Sequence, residues 1–304
     1  MTGPGVIGLR YVAMATPDFE KSAEFYGGVW GLTRVEGEGG LSYLAADGSP
    51  EQFILRVREA DERRIDVVSF AAASAQDVDA IATRLADAGV RFASEPGDLQ
   101  TPGGGYGFRF FDPEGRVIEV SSDVERRSFR EIAPEEPTPK GLSHVVLMSS
   151  DVKATTAWYQ DNLGFRLSDW VGETFSFMRC SPDYHSLAFA QSKHTSLNHV
   201  CFEMRGLDEV MRGMGRALKH EVPLRHGPGY FGNARSAFAY FYDPAGNVIE
   251  YASPQLQVTD EAAWKPRVLG PGDTEQWGIG RGDEVVPENA KNVPDPGLWV
   301  APPV

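Results

Sequence analysis

The chain is written twice. Segments about 131 to 133 positions apart resemble one another, from Gly8 and Gly141 near the start of each copy to Phe111 and Tyr242 near its end, so whatever the first half folds into is repeated by the second. Gly8-Leu9-Arg10-Tyr11-Val12-Ala13-Met14 answers Gly141-Leu142-Ser143-His144-Val145-Val146-Leu147, and each apolar run stops before an aspartate, Asp18 or Asp151, that suits a helix start. In the helix that follows, Phe25-Tyr26 with Gly31 matches Trp158-Tyr159 with Gly164, inward aromatics and a glycine where the helix must stop. A second amphipathic helix is expected over 77–90 and again over 208–222. Each copy then closes through an Asp-Pro-x-Gly turn (Asp112 to Gly115, Asp243 to Gly246) into a strand ending in glutamate, Glu119 or Glu250.

Within one copy the order strand, helix, several strands occurs once per helix, which gives four βαβββ modules. Mixed strands with helices on one side predict an α+β architecture in which two modules pair their sheets into a cupped half-barrel. Residues 126–140, with Pro134, Pro137 and Pro139 among many charges, read as a linker, and the boundary falls near residue 130. The tail beyond about residue 256 has no counterpart in the first half. Its three tryptophans, Trp264, Trp277 and Trp299, are too apolar to leave in water, so the tail is expected to wrap the body and roof the site.

Composition narrows the class of partner. The 304 residues suffice for two ordinary domains, and 41% hydrophobic with 24% charged residues is a globular profile. No basic stretch leads into an apolar run at the start, and no segment nears the roughly 20 apolar residues of a membrane span, which reads as cytoplasmic. Cys180 and Cys201 lack C-x-x-C spacing, so reduced thiols are expected rather than a disulfide or thiolate knuckle. A net charge of −14 argues against a phosphate-backbone partner and favours a small molecule.

Three polar residues interrupt apolar strands of the second half: His144, His199 and Glu250. A carboxylate among Val, Ile and Tyr is costly to bury unless a cation or hydrogen-bond donors satisfy it. Two imidazoles and a carboxylate from three strands form the facial triad of non-heme Fe(II) sites, leaving about three of six coordination positions open. Mn(II) fits nearly as well; Zn(II) prefers fewer ligands. Any one of these histidines alone is more simply a hydrogen-bonded core residue. The repeat argues otherwise, because the first copy is read as placing Tyr11, Asp66 and Glu119 at the corresponding positions, so the scaffold does not itself demand histidine. A metal is expected at the second trio and none at the first.

Gly-Leu-x-His-Val at 141, Asn-His-Val at 198 and Asp-Pro-x-Gly-Asn-x-Ile-Glu at 243 resemble type I extradiol ring-cleavage dioxygenases of the vicinal-oxygen-chelate superfamily, the glyoxalase and bleomycin-resistance fold. The likeness covers residues 8 to about 255. It implies two tandem vicinal-oxygen-chelate domains, 1–130 without metal and 141–255 catalytic, joined by a linker at 131–140 and followed by the tail at 256–304. Ser181 to Phe189 resembles the segment carrying the family's catalytic histidine, a role that falls on His185. The resemblance implies that a catechol chelates Fe(II) through both hydroxyls, that His185 takes the second phenolic proton and returns one as the O–O bond breaks, and that the ring opens beside the diol. Tyr240 matches a tyrosine that donates to the bound substrate oxygen, with Tyr242 on the same strand face as its rival. His226 resembles a pocket histidine, although Tyr230 to Arg235 look inserted between it and Tyr240. Tyr184 stands where many relatives carry a second histidine, and His194 reads as exposed. Trp170, Phe175 and Phe177 are expected in the pocket wall, and Arg235 or Arg225 would suit a carboxylated substrate.

The partners implied are an aromatic diol and O2, with no nucleic acid and no membrane, in a homo-oligomer. Two other functions use the same cup: a metal-dependent isomerase, lyase or epimerase acting without O2, and a metal-free protein that sequesters its ligand. A histidine fourteen residues before the second ligand has no evident use in the former, and three intact ligands have none in the latter.

Overall fold

An apolar strand, a helix and three further strands follow one another four times. In the computed structural model, which describes residues 3–270, 272–277, 287 and 290, the first two rounds are β1 (Gly8–Thr16), α1 (Phe19–Gly27), β2 (Thr33–Glu36), β3 (Leu41–Ala45), β4 (Leu55–Glu59), then β5 (Arg64–Ala71), α2 (Ala75–Asp87), β6 (Phe92–Asp98), β7 (Tyr106–Phe111), β8 (Val117–Ser122). The last two are β9 (Gly141–Ser149), α3 (Val152–Leu163), β10 (Arg166–Val171), β11 (Phe175–Arg179), β12 (Leu187–Gln191), then β13 (Ser196–Glu203), α4 (Leu207–Lys219), β14 (Leu224–Phe231), β15 (Ser236–Tyr242), β16 (Val248–Ala252). A short β17 (Arg267–Leu269) ends the described elements.

Local chemistry sets several of these boundaries. Ser74 and Asp151 cap α2 and α3, accepting from Asp77 N and Ala154 N, and Gly164 closes α3 in the left-handed conformation at φ 82°. Gly31 does not stop its helix as expected: α1 already ends at Gly27, capped by Gly28. The two Asp-Pro-x-Gly turns bring Gly115 and Gly246 to φ 83° and 79°, where a side chain is strained.

Each half forms one mixed sheet, ordered β2-β3-β4-β1-β5-β8-β7-β6 and β14-β15-β16-β13-β9-β12-β11-β10-β17. The modules meet antiparallel in mid-sheet, β1 against β5 and β9 against β13, while each module's first and last strands pair in parallel. Alternation along the strands separates two environments. In β9, Val145 and Leu147 join the large core that also receives the buried faces of the helices, whereas His144 and Val146 face the other way, into the cup.

That core is common to both halves. Trp30, after α1, is fully buried against C-terminal residues, stacked on Tyr251 at 3.7 Å between centroids and edge-on to Phe202 and Phe241. Across the same contact Tyr26 O–H donates to Asp243 at 2.7 Å, and Tyr159 O–H donates to Asp112 at 2.9 Å. Thus each half's first-helix tyrosine is held by the other half's Asp-Pro-x-Gly aspartate.

Strand structure stops at Ser122 and resumes at Gly141; between them Ile132 is buried and its carbonyl accepts from Arg205. Part of the tail lies on the C-terminal sheet. β17 runs parallel to β10, Trp264 donates to Ser168 O at 2.9 Å, and Thr274 and Gln276 pair with Gly232 and Tyr230 at the end of β14. Trp277 stacks on Tyr230 yet stays partly exposed. Trp299 lies outside the described residues. Among the described residues, no helix is long and apolar enough to cross a membrane.

Candidate metal centre and its cavity

Strand register brings the predicted trio together. His144 of β9 pairs with Cys201 of β13, which pairs with Glu250 of β16, while His199, two residues before Cys201 and just past a bulge at Asn198, lies on the same face. His144 Nε2 and His199 Nε2 each lie 3.2 Å from Glu250 Oε2 and 3.3 Å from one another, and all three side chains are buried.

The remaining ring nitrogens fix what those atoms present. His199 Nδ1 lies 2.7 Å from Asn198 Oδ1, an acceptor, so Nδ1 carries the proton and Nε2 a lone pair. His144 Nδ1 lies 3.1 Å from Ser143 Oγ. Glu250 Oε2 sits between the two imidazoles with no partner in hydrogen-bonding geometry, an orphaned carboxylate oxygen in a buried site. Donors converging on one point are what a divalent cation of intermediate hardness requires, so the residues fit Fe(II) or Mn(II). Cys201 Sγ is also near, within 4.8 Å of donor atoms of His144 and Glu250. Burial, then the Glu250 charge, push its pKa well up.

The N-terminal cup is a comparison within the same molecule. Glu119 occupies the register of Glu250, Tyr11 that of His144 and Arg109 that of Tyr240. Arg109 Nε donates to Glu119 at 2.9 Å, Tyr11 O–H at 2.8 Å and Ser69 Oγ at 2.8 Å. A guanidinium on the chain therefore supplies the positive charge this buried carboxylate needs. Asp66 corrects the expected correspondence. Val67 pairs with Ala13 as His199 pairs with Val146, so Val67 holds the His199 position, and Asp66 is bound instead by Arg56 and Arg58.

The C-terminal cup encloses a cavity of about 540 Å³ lined by the trio and by His185, His226, Tyr240, Phe175, Phe177, Asn198 and Arg225 among others. His185, just before β12, stands with its ring 4.0 Å from that of His144 and its Nδ1 without a protein partner. Burial, reinforced by His144, lowers its pKa well below that of free imidazole and keeps it neutral. Tyr240 pairs with Glu250 across the sheet and sits edge-on to His199. Tyr242, its sequence rival, lines a smaller neighbouring pocket with Arg63, Arg64 and Arg225. His226 pairs with Tyr240 and stacks on Phe238, so the intervening residues extend the β14–β15 hairpin without removing it from the cavity. Two expectations are corrected. Trp170 packs on the helix-side core and does not line the cavity, because its neighbour Val171 takes the inward position. Arg235 is exposed at the hairpin turn, and of the two arginines only Arg225 reaches the cavity. Asn198 was missed, although it stands beside His199 in the quoted Asn-His-Val.

Residues 8–120 and 141–251 each match the Glyoxalase/Bleomycin resistance protein/Dioxygenase superfamily, one match per cup. The chain belongs to this superfamily. Within it, the chain is 29% identical over 277 residues to an iron-dependent extradiol dioxygenase of Rhodococcus jostii, covering 84% of this chain and 91% of that one. It is 25% identical over 282 residues to a manganese-dependent 2,3-dihydroxybiphenyl 1,2-dioxygenase of a Geobacillus species (genomosp. 3), covering 84% and 87%. Among solved structures of the superfamily, the Mn(II)-bound glyoxalase from Novosphingobium aromaticivorans superposes with a TM-score of 0.91 at 37% identity, over 98% of this chain and 99% of that one.

Proposed function

We propose that the protein cleaves a catechol-type diol with O2 beside the two hydroxyls, using Fe(II) or Mn(II) held by His144, His199 and Glu250. The observation that carries this reading is the orphaned Glu250 oxygen between two imidazole nitrogens, with the neutral His185 ring centred 4.0 Å from the His144 ring. When bound, the metal supplies Lewis acidity toward the diol oxygens and an electron path between diol and O2. The chain supplies the rest. Val146, Phe175 and Phe177 give the aromatic ring an apolar wall, and Tyr240, its pKa raised by burial and then Glu250, remains a hydrogen-bond donor. His185, neutral at working pH, accepts a phenolic proton and returns it as the ring opens, both oxygen atoms entering the product.

A metal-dependent isomerase, lyase or epimerase acting without O2 is the second reading, the Novosphingobium relative being named a glyoxalase. Such chemistry calls for a base beside the metal, and among the described residues lining the cavity Glu250 is the only carboxylate. Protein reconstituted anaerobically with Fe(II) or Mn(II) is to be mixed with mono- and bicyclic catechols and then aerated. Consumption of one O2 per diol with a yellow ring-opened product is expected. Failure of every diol with metal bound would leave the isomerase reading in possession.

A further inference from the structure

The backbone of His185 has an unusual partner. Its neighbours bond to main chain, Tyr184 N to Leu256 O at 2.9 Å and Ser186 N to Met178 O at 3.0 Å. His185 instead uses a side chain: its N–H donates to Gln255 Oε1 at 3.0 Å, and its carbonyl accepts from Gln255 Nε2 at 2.9 Å. Because a peptide N–H can only donate, the amide orientation is fixed, and Nε2 has its second hydrogen for Ser143 Oγ, 2.9 Å away. Ser143 Oγ is the atom beside His144 Nδ1. Gln255 is buried, on a strap running from the turn before β15 to the loop before β12: Leu256 N donates to Ala234 O, and Val258 N donates to Pro182 O.

We infer that Gln255 is a positioning residue, its amide standing in for a neighbouring strand so as to hold His185 against His144 and, through Ser143, to tie both to one support. This rests on the reading of His185 as the proton acceptor. Without the amide, two buried peptide groups lose their partners and the His185 loop must move to recover them. A displacement of about 1 Å is enough to cost on the order of 10²-fold in rate. Gln255 lines the same cavity, yet its amide is engaged with His185 and Ser143 and bonds to no side chain of the metal trio, so its removal acts on turnover and leaves the three ligands in place.

The test compares Gln255→Leu, His185→Phe and the double variant, each metal-loaded, by kcat, KM, metal content and melting temperature. Gln255→Leu is expected to lose roughly 10- to 100-fold in kcat while KM and metal content stay within about twofold of the parent, and the double variant is expected to be no slower than His185→Phe, the signature of two residues acting as one. If the leucine variant fails to fold, Gln255→Glu, which keeps the chain length and acceptor but lacks the donors, carries the same comparison. Parental kcat in the Gln255 variant, a loss that multiplies in full onto His185→Phe, or a loss accounted for by missing metal would each overturn the inference. Full turnover in His185→Phe alone would instead remove the assignment beneath it, whatever Gln255→Leu shows.

Discussion

Glu250 is a buried carboxylate on the cavity wall, and the residues around it divide between those that govern occupancy and those that govern turnover. His144→Ala removes one donor of three, so protein purified with iron or manganese is expected to hold little metal by elemental analysis; full occupancy would remove His144 from the ligand set. Asn198 acts one bond further out. Its carbonyl oxygen holds the proton on His199 Nδ1 and keeps Nε2 bare. Asn198→Ala should weaken metal affinity by about 10- to 100-fold, measured by competition with a chelator, and an unchanged Kd would show that the tautomer is set elsewhere. His185→Phe makes the opposite separation: metal retained, kcat lowered by roughly 10²-fold or more. A histidine variant that turns over normally would leave the phenolic proton without its acceptor.

Among the elements, the helices and the central strands were the most legible in sequence, for a physical reason. Their apolar runs are long, periodic and bounded by residues with definite backbone chemistry, such as Asp151 before α3 and the glycines of the two Asp-Pro-x-Gly turns. Replacing Asp151 by Ala leaves the first turn of α3 without its acceptor, an expected loss of about 1 kcal/mol in denaturant unfolding, and no loss would mean that water replaces the cap. The trio was legible because each member is polar inside an apolar strand. Register was not. The Asp66 correspondence slipped by one position because the spacing of the copies falls from 133 between β1 and β9 to 132 between β5 and β13, so that Asp66 matches the bulged Asn198, and a slip of one exchanges the two faces of a strand. Trp170 failed similarly: composition places an aromatic inside but not on which side of the sheet. Gln255 had no local signal at all, since its partners lie 70 and 112 positions away.

The molecule as a whole is built around a contact that an account of two separate domains would miss. Trp30 belongs to the first half and is buried among Phe202, Phe241 and Tyr251 of the second, and the tyrosine–aspartate bonds cross in both directions. The halves are therefore expected to unfold together, in one calorimetric transition, and two resolved transitions would contradict a common core. Trp30→Ala should cost about 3–5 kcal/mol, lowering that single transition rather than splitting it.

The two cups also differ in what a chelator is able to take from them. A guanidinium tethered through Arg109 cannot be washed out, so the first half keeps its electrostatic balance under any buffer, whereas the second half depends on whatever ion the surroundings provide. Scarcity of metal then silences the protein while leaving its architecture standing on the half that carries a permanent counter-charge.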